Sequence, residues 1–253
     1  SEGVVFWTDK IHARHGFRWV HPVHEVLEYE QPDYETVLAE GVQLDHHPDP
    51  SKSRGQYLPL LELAVREDPQ NDRNRHYLGR EYMFRGDWAR AVSTLKAHLA
   101  MPQAVWRDER CASMRYIARC LRRLEREDEA ALWLHRAIAE APHLREPYLE
   151  FADLLYQQKD WCGVIFMVNR ALAITERPRT YICEPFAWGS FPYDLLSIAY
   201  FHLSQWESAL KNAEKAFALA PDDARLQENC ALLRAKAVFD GFLRFSVAFS
   251  AAV

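Results

Sequence analysis

The chain has 253 residues, 49% hydrophobic and 26% charged, enough to bury a sizeable core without disulfide or metal staples. Its formal net charge of −5 provides no broad basic field for nucleic acid or an anionic membrane. The five cysteines (Cys111, Cys120, Cys162, Cys183 and Cys230) form no C-x-x-C pair and are odd in number, which fits a reducing, cytoplasmic setting and small buried apolar roles.

Residues 4–14 (VVFWTDKIHAR), 17–29 (FRWVHPVHEVLEY) and 36–47 (TVLAEGVQLDHH) are rich in β-branched and aromatic side chains between Gly and Pro-Asp breaks. They predict three strands of a small sheet. Such a sheet is marginal alone, so it is expected to pack on the helices that follow or on a further lobe. The opening on Ser1 reads as the inside of a domain, and the chain is expected to be a fragment. Six of the eleven histidines lie in this region: His12, His15, His21, His24, His46 and His47. That enrichment marks it for metal or phosphate chemistry, although the adjacent His46 and His47 would point to opposite faces of a strand.

Residues 52–68 predict a helix with Leu58, Leu61, Leu63 and Ala64 inward, stopped by Asp68-Pro69. From there the chain repeats. Residues 77–102 (YLGREYMFRGDWARAVSTLKAHLAMP) carry Gly79, Tyr82, Gly86, Trp88, Ala91, Leu95 and Pro102. Small residues at Gly79 and Ala91 let two antiparallel helices approach, Gly86-Asp87 turns the chain, and Pro102 ends the second helix. Residues 116–142, 151–174 and 195–221 repeat the plan, with Glu125 in place of the turn glycine in the first of these. The small residues Ala91, Ala130, Val164 and Ala209 are 39, 34 and 45 residues apart. The longest gap holds a Pro- and aromatic-rich insertion, 175–194, expected to pack as an ordered loop, with Phe186 and Trp188 as candidate ligand-facing residues. Residues 222–239 predict a capping helix. The apolar tail is interrupted by Asp240 and Arg244, so no uncharged run is long enough to span a bilayer.

This punctuation closely resembles the tetratricopeptide repeat, whose ideal period is about 34 residues. The resemblance implies a mainly α fold, a tetratricopeptide-repeat α-solenoid of antiparallel helix pairs with a short β-rich amino-terminal extension. The first helix of each pair then lines a concave groove. Groove positions fall on Arg73, His76, Arg80, Met83 and Phe84, then Arg115, Arg119, Arg122 and Arg123. Later ones are Glu146, Leu149, Asp153, Tyr156, Asp194, Phe201 and His202. The groove is thus basic early and acidic or aromatic late. Arg73, Arg80, Arg115, Arg119, Arg122, Arg123, Asp153 and Tyr156 are the candidate partner-binding residues. Guanidinium groups this close need an anionic ligand or nearby carboxylates, and Glu127 is a candidate counter-charge on the next helix.

A second resemblance rests on RWVHPVHEVL (18–27) and on residues 42–82, from VQLDHHPDPSKSRGQYL to HYLGREY. These stretches resemble the carboxy-terminal end of a family 2 glycosyltransferase catalytic domain running into tetratricopeptide repeats. The likeness implies a two-lobed nucleotide-sugar fold with a divalent metal, Mn²⁺ or Mg²⁺, on an Asp-x-Asp motif. Its aromatic-x-x-Pro-x-His-Glu stretch falls on Trp19, Pro22, His24 and Glu25. His24 is then the candidate metal or diphosphate contact, and Glu25 the candidate catalytic, acceptor-side carboxylate. Lys52 and Arg54 fall loosely on the family's Lys-x-x-Arg, one residue closer together. The chain holds no Asp-x-Asp, since Asp45 and Asp49 are spaced wrongly, so no cofactor is expected in this chain alone and a nucleotide sugar only with the other lobe.

The organisation expected is a glycosyltransferase remnant over 1–50, repeats over 51–240 and an apolar tail over 241–253. The function expected is the repeat region of a family 2 glycosyltransferase, positioning a protein or peptide acceptor. The alternative is a stand-alone protein-interaction scaffold without catalysis.

Overall fold

The computed structural model describes residues 4–8, 11–30, 35–39, 41–47 and 55–236. The apolar tail, Asp49, Lys52 and Arg54 lie outside the described residues. The described residues fall into two compact units, one within Trp7–Val105 and one within Ser1–Phe6 together with Trp106–Val253.

The first unit opens with an antiparallel hairpin, β1 (Phe17–Val20) and β2 (Val26–Tyr29). Phe17 pairs with Tyr29, Arg18 with Glu28, Trp19 with Leu27 and Val20 with Val26. The stretch expected as one strand is therefore two. His21 and His24 both adopt positive φ, 76° and 53°, and reverse the chain around Pro22, which has no N–H to give a ladder. Across the hairpin Arg18 donates to Glu28 at 2.9 Å, and the Phe17 and Tyr29 rings lie 4.5 Å apart. A Cβ on Gly16 would come within 2.8 Å of the Tyr29 ring, so that position needs glycine. The other two expected strands do not form among the described residues. Val5, Ile11, Val37, Val42 and Leu44 are exposed, and without an apolar face to cover, alternation alone does not hold a strand.

Three helices follow: α1 (Tyr57–Glu67), α2 (Asp72–Phe84) and α3 (Trp88–Leu99). Asn71 caps α2 by accepting from the Asn74 N–H, and Asp87 caps α3 through the Arg90 N–H. Leu61, Ala64, Tyr77, Leu78, Tyr82, Ala91, Val92 and Leu95 are buried. A Cβ on Gly79 would lie 2.6 Å from Leu95 side-chain atoms, which shows why the α2–α3 crossing uses glycine.

The second unit contains α4 (Arg107–Arg123), α5 (Glu127–Glu140), α6 (Glu146–Gln157), α7 (Trp161–Leu172), a short 3₁₀ turn (Pro185–Ala187), α8 (Phe191–His202), α9 (Trp206–Leu219) and α10 (224–236). From α4 to α9 each helix packs on its successor, and the first helices α4, α6 and α8 also touch in turn. Ala118, Ala130, Ala152, Val164, Ser197 and Ala209 are buried at the crossings, as the repeat phase requires. Ala130→Leu should therefore destabilise by about 1–3 kcal/mol through overpacking. Thermal melting checks it, and a parent-like midpoint would show the phase to be wrong.

The turns within the four helix pairs share one device. Gly86, Glu125, Lys159 and Ser204 all take left-handed backbone, with φ of 76°, 58°, 60° and 58°. One of the four is the glycine that such a turn favours.

Candidate functional site

In the first unit, three of the candidate residues converge on one ring. The His21–Glu25 turn meets α2 through His24, whose imidazole stacks on Tyr77 at 4.0 Å and 14°, and Val23 within the turn is 6% exposed. The guanidinium of Arg80 lies 4.5 Å from the same ring and that of Arg73 5.5 Å. Arg73 also donates to the Tyr77 hydroxyl at 3.4 Å. A guanidinium this close to an electron-rich ring is a favourable cation–π arrangement. Glu25 follows, exposed to solvent. Among the described residues His24 belongs to no group of three metal-ligating side chains.

In the second unit, the basic face of α4 meets carboxylates from two directions. Arg115 is fully buried; its Nε donates to Glu150 at 2.5 Å, and its Nη2 to Glu184. Arg119 donates to both oxygens of Glu184 at 2.9 Å and to Glu150 at 2.7 and 3.1 Å. Arg122 pairs with Asp153 at 2.7 Å. The counter-charges come from α6 and the insertion, whereas Glu127 accepts from Gln158 at 3.4 Å. Arg115 has no exposed surface while it is paired with Glu150 and Glu184. Arg123 is exposed and has no ion-pair partner among the described residues. Tyr156 is half-buried, with its ring edge-on to Trp161 at 5.8 Å.

The electrostatics follow from burial and pairing. Desolvation opposes the charge on Glu150, but Arg115 and Arg119 outweigh it and hold the carboxyl below its ordinary range. Desolvation likewise opposes Arg115, yet Glu150 and Glu184 keep its proton more firmly than usual. Burial pushes the Cys183 thiol up to about 11, with Glu146 adding to the effect.

Glu150, Glu184 and Tyr181 are the participants that helix patterning does not single out. The insertion packs as an ordered segment: Ile182, Cys183 and Ala187 are buried. The Glu184 N–H donates to Glu146 at 3.0 Å, and the Tyr181 hydroxyl to Glu109. Arg145 donates to the carbonyls of Ile174 at 2.8 Å and Ala187 at 3.4 Å and covers the Trp188 ring at 3.8 Å. Trp188 is thus taken up by the base of the loop, and Phe186 packs edge-on to Phe191. A signal for the α4–α6 pairing was present: Arg115, Arg119 and Arg122 share their spacing with Glu146, Glu150 and Asp153, 31 residues on.

No family model and no curated protein matches the chain. Solved structures do. The chain is similar to a structure of the APC/C hetero-tetramer Cut9–Hcn1, at 14% identity and a TM-score of 0.57 over 72% of this chain and 33% of that one. It is also similar to PilF of Pseudomonas aeruginosa, at 14% identity and a TM-score of 0.54 over 68% and 72% of the two chains. A third is TTC0263, a thermophilic TPR protein of Thermus thermophilus, at 19% identity and a TM-score of 0.50 over 70% and 89%. The chain spans about a third of the length of the Cut9–Hcn1 chain. No helix among the described residues is long and apolar enough to cross a membrane. The helix pairs, their turns and these likenesses together show a mainly α fold of the tetratricopeptide-repeat α-solenoid class, with a short β-hairpin at its amino-terminal side.

Proposed function

We propose that the chain is the repeat region of a family 2 glycosyltransferase and that its repeats position a protein or peptide acceptor. The observation that supports this is the seating of the His21–Glu25 turn on α2, with Val23 buried and His24 stacked on Tyr77. The residues that resemble the transferase and the first repeat are packed as one unit. In this reading Glu25, exposed beside the stacked His24, meets the acceptor. Arg73, Arg80, Arg119, Arg122, Arg123, Asp153 and Tyr156 are offered to its protein part. The nucleotide sugar, and Mn²⁺ or Mg²⁺ with it, belongs to an Asp-x-Asp lobe. Five free cysteines support a reducing, cytoplasmic setting.

The test uses the full-length protein and separates acceptor binding from donor chemistry. Arg122→Glu with Arg123→Glu should raise KM for a peptide acceptor about tenfold, leaving kcat and donor hydrolysis unchanged, the signature of lost uniform binding. An unchanged KM sinks acceptor positioning. Absence of any sugar transfer from the full-length protein would leave the stand-alone scaffold.

A further inference from the structure

The face formed by α4 and α6 already holds a peptide segment, and that segment is the chain's own. Residues 174–184 are non-helical and touch these helices through defined groups. The Tyr181 hydroxyl reaches Glu109, the Glu184 N–H reaches Glu146, and the Glu184 carboxylate lies between Arg115 and Arg119. Between them Ile182 and Cys183 are each 3% exposed. This is how a docked ligand is held: a charged anchor, a main-chain hydrogen bond, and apolar side chains covered between polar ends.

We infer that residues 180–184 are an intramolecular occupant of a peptide site on α4 and α6. The partner recognised there is a non-helical acidic segment of the same chemistry, an aromatic residue followed three positions later by a glutamate. The inference deepens the proposed function and rests on its reading that the repeats bind a peptide.

Two features make the occupant exchangeable. The Glu184 and Arg119 side chains retain 25% and 32% of their surface, against 1% for Arg115. An incoming carboxylate can therefore compete first at Arg119. Arg145 ties the carbonyls of Ile174 and Ala187, so the tip can leave while both ends of the loop stay fixed. Departure uncovers the seats of Ile182 and Cys183, which is why the partner must bring an aromatic or apolar stretch ahead of its acid.

The probe is a fluorescein-labelled peptide of residues 180–188 with serine in place of the cysteine, followed by anisotropy. Glu184→Lys sets a cation against Arg115 and Arg119 and should expel the tip. That variant should bind the peptide at least about tenfold more tightly than the parent. Adding Arg119→Glu restores an opposite-charge pair within the chain and should return binding to the parental level. In a Cys162→Ser background, maleimide modification of Cys183, located by mass spectrometry, should speed up with Glu184→Lys and slow again in the double variant. A helical Glu184→Lys variant that neither binds the peptide nor exposes Cys183 overturns the inference. If that variant loses its helicity, the parent with saturating peptide decides: faster Cys183 modification supports exchange, and an unchanged rate rules it out. Failure here together with the acceptor effect of Arg122 and Arg123 would remove self-occupancy alone and keep acceptor positioning.

Discussion

Replacing Arg115 by alanine is expected to destabilise the protein by about 3–5 kcal/mol, the usual cost of leaving a buried charge without its partner. Arg115 is fully buried, and Glu150 is 8% exposed. Losing the guanidinium leaves Glu150 with Arg119 alone, and leaves Glu184 without its innermost donor. Denaturant or thermal unfolding followed by circular dichroism measures the loss. Arg115→Ala with Glu150→Gln should recover part of it, because the stranded charge is gone. A double variant as unstable as the single one would show that lost packing, not stranded charge, is the cause.

The same pair predicts an acid dependence. The folded-state carboxyl of Glu150 lies below its ordinary value, so its contribution is complete above the unfolded glutamate pKa, about 4.3. It is lost as pH falls through the lower folded value. Stability of the parent should therefore decline across this acid window. Arg115→Ala should show a shallower decline there, since the larger of the two attractions holding the proton off is removed.

Leu149→Ala is expected to cost about 2–5 kcal/mol, from lost burial and from the cavity left behind. Leu149 is fully buried in a core with Tyr148, Ala152, Val164, Val168, Ala171, Leu195 and Leu196. For a chain of this size the loss corresponds to a Tm lower by roughly 5–15 °C. Leu149→Met keeps the volume and should cost less than about 1.5 kcal/mol. If the two variants melt alike, α6 does not form the packed centre of its unit.

The helical part of the fold was legible because its determinants are local. Gly79, Ala91, Ala130 and Ala209 mark close crossings, and Asp87 and Asp160 act as caps on N–H groups three residues on. The amino-terminal region was less legible. Val4–Phe6 and residues 36–44 carry the composition of strands, yet pairing depends on a partner edge and a covered face, which composition does not encode. The basic face of α4 was visible as three arginines on one helical stripe, but its meaning was not. Their counter-charges lie 31 to 69 residues away, and Glu184 sits in an insertion with no periodicity to place it. His24 was noticed for a motif, whereas its observed partner, Tyr77, belongs to a different element and shows only in three dimensions.

The turns at Glu125, Lys159 and Ser204 hold side-chain-bearing residues in left-handed backbone, a conformation that costs such residues roughly 1–2 kcal/mol. Part of that returns with glycine, offset by the greater freedom glycine has in the unfolded chain. The three positions lie at helix ends, and none of their side chains takes part in the α4–α6 ion pairs. They are an unused reserve of robustness, through which the scaffold can be made sturdier or more yielding while the surfaces that meet a partner stay as they are.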